Sequence, residues 1–148
     1  LRIPPVLLAA LAAFLMWLLS LVTPPLAIEN TPRLVLVAAC LAASAITGLA
    51  GVIAFRRART TVNPMAPEHC SALVESGIFR FTRNPMYLSL LLALLGWAVF
   101  LRNPWTSIIA IGFVLYMNRY QIRPEEQALG AAFGDAFEQY RLRVRRWL

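Results

Sequence analysis

Two short polar stretches stand at the edges of apolar sequence and carry residue types that bind charged groups. The first is TRNPMY, residues 82–87, at the start of an apolar run. A helix beginning here would turn free amides, a guanidinium group and a phenol hydroxyl toward one point, which suits a ligand carboxylate or phosphate. The same residues also suit a helix cap at a membrane boundary. Spacing leaves both interpretations open for Arg83, Asn84, Pro85 and Tyr87.

The second stretch is PEE, residues 124–126, which opens an arginine-rich segment. Glu125 and Glu126 suit the positive end of a helix dipole. Alternatively, one carboxylate holds an amino group or the ribose hydroxyls of a cofactor, while the other orients Arg119 or Arg123. Paired acids and arginines at a membrane boundary can orient a polar head whose tail lies in lipid. Spacing does not decide between these roles either.

The composition indicates an integral membrane protein, because 59% of the 148 residues are hydrophobic and only 14% are charged. All 14 basic residues are arginine, and the net charge is +7. In a soluble protein this charge would suggest nucleic acid, but here the arginines cluster at the ends of apolar runs. The expected partner is therefore the lipid bilayer and not nucleic acid.

Four apolar runs predict an all-α, polytopic membrane protein with about four transmembrane helices and a C-terminal amphipathic cytoplasmic helix. The last two runs are short, and the RNP sequence between them permits only a tight turn, so they should form an antiparallel hairpin. The runs cover approximately residues 5–22, 34–55, 85–101 and 105–120.

The chain is expected to form a single domain. Its predicted parts are two N-terminal spans (1–55), a connector (56–84), the helical hairpin (85–121) and a C-terminal helix (122–148).

The distribution of arginine predicts the orientation. Twelve of the 14 arginines fall on one side of the proposed spans, and only Arg33 and Arg102 fall on the other. The positive-inside rule then places both termini, the connector and any site formed there in the cytoplasm. We expect the bacterial inner membrane.

Other familiar sites are not expected. His69 and Cys70 would lack further metal ligands, so no metal site is predicted. Gly48 and Gly51, among other small residues, favour close helix packing over a nucleotide-binding loop. The sequence contains no glycine-rich phosphate loop, Walker-type lysine or serine nucleophile elbow.

Three segments in fixed order resemble the isoprenylcysteine carboxyl methyltransferase family, within a wider superfamily that includes phospholipid N-methyltransferases. They are TTVNP (60–64), LVESGIFRFTRNPMYLSL (73–90) and QIRPEEQALGAAFGDAFEQYRLRVRRWL (121–148). The family pattern is usually Arg-His-Pro-x-Tyr, and this chain has Asn84 in place of histidine. Because asparagine does not titrate near neutral pH, the resemblance implies a cofactor-holding role here and not proton transfer.

The resemblance implies a methyltransferase that uses S-adenosylmethionine, with its active site at the cytoplasmic end of the helix bundle. Glu125 and Glu126 match the family's paired acids, and Phe133, Gly134 and Tyr140 match residues that cover the cofactor in relatives. The cofactor-binding residues implied are Gly77, Arg83, Asn84, Pro85, Tyr87, Glu125, Glu126, Phe133 and Tyr140.

Methyl transfer from a sulfonium group needs alignment and exclusion of water but no metal or covalent nucleophile. The acceptor implied by resemblance is a lipophilic molecule with a prenylcysteine-type carboxylate, entering sideways between helices. Such a carboxylate would pair with Arg119 or Arg123, whereas a lipid amine would prefer Glu125 or Glu126. The predicted catalytic residues are Arg119, Arg123 and Glu126.

Three alternatives stay open at this point. The first is a phospholipid (ethanolamine) N-methyltransferase. The second is a membrane reductase that uses a nicotinamide cofactor. The third is a non-catalytic membrane interaction protein, in which TRNPMY and PEE are only helix caps.

Overall fold

The computed structural model describes residues 3–58 and 73–148, and these residues form helices and loops without a β-strand. This confirms the predicted all-α class for the described part of the chain. Arg59, the TTVNP segment, His69 and Cys70 lie outside it. The α-helices are α1 (Pro5–Val22), α2 (Asn30–Arg57), α3 (Pro85–Phe100), α4 (Ser107–Tyr116), α5 (Arg123–Phe133) and α6 (Asp135–Arg143). Within the described residues, 3₁₀ turns lie at Gly77–Arg80 and Pro104–Thr106, and a π-helical turn lies at Met117–Ile122.

Helices α1 and α2 are long and apolar enough to cross a membrane. Pro5 takes the first helical position of α1, where its missing amide hydrogen costs nothing, and α1 ends ahead of Pro24 and Pro25. Many large apolar side chains on both helices are exposed, as expected of surfaces that face lipid. Helix α3 is apolar but has only 16 residues, and α4 has 10. Their crossing of the bilayer stays a prediction.

Helices α2 and α3 run antiparallel in close contact. A Cβ atom added at Gly51 would lie 3.1 Å from Pro85 Cγ, and one at Gly48 would lie 3.1 Å from Ser89 Oγ. The Ser44 hydroxyl donates a hydrogen bond of 2.7 Å to the Ser89 carbonyl across the same interface. Small residues therefore let the two backbones approach, as predicted for Gly48 and Gly51.

The turn between α3 and α4 is tight, as predicted, and the two helices pack together. Arg102 adopts a positive φ of 53° at the turn. The Asn103 side chain accepts a hydrogen bond from the Trp105 amide and donates one of 2.7 Å to Thr23 Oγ1. The turn is thereby fastened to the end of α1. We call this end of the bundle the loop end.

The segment that follows α4 differs from the single predicted helix over residues 122–148. Helical structure continues without interruption from α4 through the π turn into α5. It breaks at Gly134, whose φ of 53° is in the left-handed region that favours glycine. Helix α6 follows, and residues 144–148, here called the tail segment, leave the helix in an extended conformation beginning at Val144.

Candidate functional site

The TRNPMY sequence forms the start of α3 at the end of the bundle opposite the loop end. Pro85 takes the first helical position, as its type predicts, and Asn84 takes the N-cap position. The Asn84 side chain, however, makes no capping hydrogen bond. Its amide nitrogen Nδ2 instead donates a hydrogen bond of 3.0 Å to the Arg146 carbonyl. Asn84 therefore connects α3 to the tail segment.

The tail segment is bonded to TRNPMY through its backbone. The Arg83 amide donates a hydrogen bond of 3.0 Å to the Arg145 carbonyl. The Arg146 carbonyl also accepts a hydrogen bond of 3.1 Å from the Thr82 hydroxyl, which in turn accepts one from the Asn84 amide. The contacts with the tail segment join residues more than 60 positions apart in the chain. They fix the backbone on both sides of Arg83.

Glu126 of α5 lies between two guanidinium groups. Arg146 binds it in a bidentate arrangement, with Nε at 2.9 Å from Oε1 and Nη2 at 2.6 Å from Oε2. Arg83 Nη1 lies 2.9 Å from the same Oε1. The side chains of Arg83 and Glu126 are each only 10% exposed, and that of Arg146 is 33% exposed. We call these three residues the arginine–glutamate cluster.

The two arginines of this cluster are electrostatically different. The hydrogen bonds to Glu126 raise the pKa of Arg146 above its ordinary value. Burial lowers the pKa of Arg83, although attraction to Glu126 acts in the opposite direction, and Arg146 lowers it further. Arg83 Nε is buried without a hydrogen-bond partner, and Nη1 is not aligned for a hydrogen bond with Glu126. Arg83 is therefore the desolvated member of the cluster, with hydrogen-bonding capacity unused by the described residues.

Glu125 belongs to a separate group. The Tyr87 hydroxyl donates a hydrogen bond of 2.5 Å to Glu125 Oε1, and Gln121 Nε2 donates one of 2.7 Å to the same oxygen. Gln121 Nε2 also lies 3.4 Å from the Tyr87 hydroxyl. Gln121 is buried in the π turn, a type of helical distortion that is frequent at functional sites. The adjacent acids of PEE thus belong to two different polar groups: Glu126 to the arginine–glutamate cluster, and Glu125 to the group with Tyr87 and Gln121.

Phe133 and Tyr140 lie in an apolar cluster that also contains Phe79, a residue of the 3₁₀ turn that begins at Gly77. Gly77 has a φ of 63° and starts the 3₁₀ turn that leads to TRNPMY. The buried Tyr140 hydroxyl donates a hydrogen bond of 2.8 Å to the Phe79 carbonyl, which fastens this turn to α6. Phe133 packs against the same cluster, whose buried members are Ala54, Val74, Phe79, Phe137, Tyr140 and Val144.

Arg119 and Arg123 are placed differently from the other predicted site residues. Both are exposed, and the Arg119 guanidinium lies 6.0 Å from the centre of the Tyr120 ring. Within the described part of the chain, Glu126 is bound by Arg83 and Arg146 and by neither of these residues. Their predicted role toward the acceptor stays a prediction.

A cleft of about 700 Å³ opens beside Tyr140. The ion pair between Arg143 and Glu75, 2.6 Å long, belongs to its lining, whereas Arg83, Glu125 and Glu126 do not. The cleft is therefore separate from both polar groups of the site. Among residues 3–58 and 73–148, no three His, Cys, Asp or Glu side chains are grouped to hold a metal ion.

The sequence did not single out Gln121 or Arg146. A glutamine four residues before Glu125 on a helix was an available signal, because such positions share a helix face. Arg146 stands among four arginines in residues 141–146, and only its contact with Glu126 distinguishes it from them.

A family model described as phospholipid methyltransferase matches residues 32–136. The chain belongs to the phospholipid methyltransferase family. The part matched to this family contains both TRNPMY and PEE and ends within α6, ahead of Tyr140 and the tail segment. Membership in the phospholipid methyltransferase family supports a membrane methyltransferase.

Two relatives also match parts of the chain. The chain is 48% identical over 63 residues to an uncharacterized protein of Haemophilus influenzae, covering 43% of this chain and all of that protein. It is 37% identical over 73 residues to protein-S-isoprenylcysteine O-methyltransferase of Schizosaccharomyces pombe, covering 49% of this chain and 30% of that protein. The chain thus aligns with less than a third of the yeast enzyme. No solved structure matches the chain. The resemblance predicted from the sequence is confirmed.

Proposed function

We propose that this protein is a methyltransferase that uses S-adenosylmethionine to methylate a lipophilic acceptor at the end of the helix bundle formed by TRNPMY and PEE. The observation that carries the proposal is the arginine–glutamate cluster. It joins two motifs of a methyltransferase family around a buried cation that is incompletely hydrogen-bonded by the described residues.

The residues of this end suit the polar part of S-adenosylmethionine. The cluster has two guanidinium groups and one carboxylate, so it carries one excess positive charge that suits the cofactor's carboxylate. Arg83 is the residue proposed to bind it, because its Nε is buried and unpartnered among the described residues. Glu125, oriented by Tyr87 and Gln121, suits the cofactor's amino group or ribose hydroxyls.

When bound, the cofactor supplies a methyl group on a sulfonium centre that is open to in-line displacement. The contribution of the chain is to orient donor and acceptor and to exclude water. Tyr87, Met117 and Ile122 are buried together beside the Glu125 group and form an apolar floor at this end of the bundle. Because the acceptor itself attacks the methyl group, the side chains around the donor need not provide a nucleophile.

The acceptor we propose first is a prenylcysteine-type carboxylate, since the yeast relative is a protein-S-isoprenylcysteine O-methyltransferase. The exposed Arg119 and Arg123 would receive such a carboxylate at the membrane boundary. A phospholipid amine is the second acceptor class, supported by the family's description. We propose that this end of the bundle faces the cytoplasm from the bacterial inner membrane, following the arginine distribution.

Cofactor binding is the first test. Calorimetric titration of the purified protein in detergent with S-adenosylhomocysteine should give saturable binding, and the reduced nicotinamide dinucleotide phosphate should give none. Arg83→Gln removes the guanidinium group proposed to bind the cofactor's carboxylate, so affinity should fall roughly tenfold or more. Arg141→Gln is the matched control, because Arg141 forms an exposed ion pair with Glu138.

The possible results separate the alternatives. Binding of the nicotinamide cofactor alone would favour a reductase. Absence of binding by either ligand to folded protein would leave TRNPMY and PEE as structural elements only. Equal affinities for S-adenosylhomocysteine in the Arg83→Gln and Arg141→Gln variants would contradict the proposed site.

Transfer of a labelled methyl group to lipid extracts then identifies the acceptor class. Methyl esters release methanol in mild base, whereas N-methyl groups do not. Base-labile label is the result expected for a carboxylate acceptor, and base-stable label in the phospholipid fraction is the result expected for an amine.

A further inference from the structure

The tail segment contributes to the arginine–glutamate cluster although it lies beyond the part of the chain that matches the family. Its backbone carbonyls bind Arg83, Thr82 and Asn84, and its Arg146 side chain binds Glu126. Trp147 fixes the segment further. Its ring nitrogen donates a hydrogen bond of 3.1 Å to Asn118 Oδ1, and its ring packs against the buried apolar core that contains Met16, Leu94 and Phe113.

Glu126 interacts more strongly with Arg146 than with Arg83. Arg146 uses two nitrogens and both carboxylate oxygens, the arrangement in which a guanidinium and a carboxylate interact most strongly. Arg83 has one contact, at 2.9 Å, that is not aligned as a hydrogen bond. Glu126 is therefore largely satisfied by Arg146, and Arg83 keeps unused donors.

Removal of the Arg146 charge would change this balance. Glu126 would have only Arg83 as a counter-charge, and a buried carboxylate attracts an available guanidinium strongly because water does not compensate it. Arg83 would turn its donors to Glu126, and the excess positive charge of the cluster would disappear. An anionic group of a ligand would then lose its attraction to this position.

We propose that Arg146 is a positioning residue: by binding Glu126 in bidentate fashion, it keeps Arg83 available to bind the carboxylate of the cofactor. This inference rests on the proposed function, and it assigns to the tail segment a role in recognising one chemical group. The tail segment and α3 together hold the Arg83 backbone, while Arg146 controls the Arg83 side chain through Glu126.

The test compares two ligands that differ only in that group. S-adenosylhomocysteine carries the carboxylate, and its decarboxylated analogue keeps the adenosine, the thioether and the amine. Their dissociation constants are measured for the wild type and for Arg146→Gln, with Arg146→Lys as the conservative variant. Arg141→Gln is the control, since it removes the same charge from an exposed ion pair nearby.

In Arg146→Gln, the affinity for S-adenosylhomocysteine should fall roughly tenfold, whereas that for the decarboxylated analogue should change less than about twofold. Arg146→Lys keeps the charge and should retain most of the preference for the carboxylate. Arg141→Gln should behave as the wild type.

Because the ratio of the two affinities is insensitive to the fraction of folded protein, a destabilised variant still gives a decisive result. An unchanged ratio in Arg146→Gln, including an equal loss for both ligands, would overturn the proposal by showing a purely structural role. Absence of S-adenosylhomocysteine binding by the wild type would instead overturn the proposed function, so the two failures are distinguishable.

Discussion

At the scale of residues, the partners of Glu126 and Glu125 show how two adjacent acids acquire different chemistry. Successive residues on a helix point about 100° apart, so Glu126 faces the tail segment while Glu125 faces Tyr87. Glu126 is surrounded by charge, and Glu125 accepts hydrogen bonds from a phenol and an amide. Glu126 is therefore paired with two guanidinium groups, whereas Glu125 belongs to a hydrogen-bonded group with Tyr87 and Gln121.

The Tyr140 phenol gives a prediction about pH. Burial raises its pKa above the ordinary value of about 10, so the folded protein favours the neutral hydroxyl. This contribution to stability is complete below about pH 10 and is lost as the pH rises further. Tyr140→Phe also removes the hydrogen bond to the Phe79 carbonyl and should lower the free energy of unfolding by about 1 kcal/mol at neutral pH.

The difference between wild type and Tyr140→Phe should therefore narrow above pH 10, as measured by thermal unfolding in detergent from neutral to alkaline pH. Tyr120 is exposed, so Tyr120→Phe should change the unfolding free energy by less than about 0.5 kcal/mol at neutral pH. A gap between wild type and Tyr140→Phe that stays constant across the alkaline range would contradict the role assigned to burial.

The site residues that could be predicted from the sequence are polar or charged residues that stand within or beside apolar runs. Arg83, Tyr87, Glu125 and Glu126 interrupt or border apolar sequence, and the structure brings them into two neighbouring polar groups. Arg146 could not be selected from its equally charged neighbours without the path of the chain after Gly134. The side-chain role of Asn84 depended on the same path.

At the scale of elements, the interface between α2 and α3 depends on the absence of side chains. A Cβ atom at Gly96 would lie 3.0 Å from Cys40 Cβ, closer than carbon atoms pack. Gly96→Ala should therefore lower the free energy of unfolding by roughly 1 to 3 kcal/mol through overpacking. In α4, a Cβ atom at Gly112 would have no neighbour within 4 Å, so Gly112→Ala should leave stability unchanged or slightly raised.

Thermal unfolding in one detergent measures both variants. If the Gly96→Ala and Gly112→Ala variants unfold at the same temperature, the interface between α2 and α3 accommodates the added methyl group without loss of stability. That result would contradict the close packing described above.

The helix starts were predictable because proline and the apolar runs mark them, as at Pro5 and Pro85. The π turn was not predictable, since residues 117–122 contain no feature that demands an extra residue in the turn. The break at Gly134 had a local cause in glycine, but the amphipathic repeat on either side of it favoured a continuous helix.

At the scale of the whole molecule, the two ends of the bundle are chemically different. Arg33 and Arg102 lie at the loop end, where Arg33 is 5.7 Å from the centre of the Phe100 ring, and the described site lies at the other end. This separation agrees with the arginine count along the sequence. The side of the membrane that each end faces follows from the positive-inside rule and is open to measurement.

Single cysteines at Thr31 and Asp135, both exposed, can test that orientation in a protein whose own two cysteines are replaced by alanine. A membrane-impermeant maleimide should label Thr31→Cys in cells with a permeabilised outer membrane and Asp135→Cys in inverted inner-membrane vesicles. The cysteine-free protein is the control. Labelling of both positions from the same side would contradict the arrangement.

The tail segment also sets an order of assembly during synthesis. Residues 144–148 are translated after every helix that they contact, and they supply the second guanidinium and the carbonyls that hold TRNPMY. Helices α1 to α5 are therefore all synthesised before the arginine–glutamate cluster can form. Glu126 lacks its bidentate partner until the tail segment has been made, so the proposed capacity to bind an anion can arise only after residues 144–148 have docked.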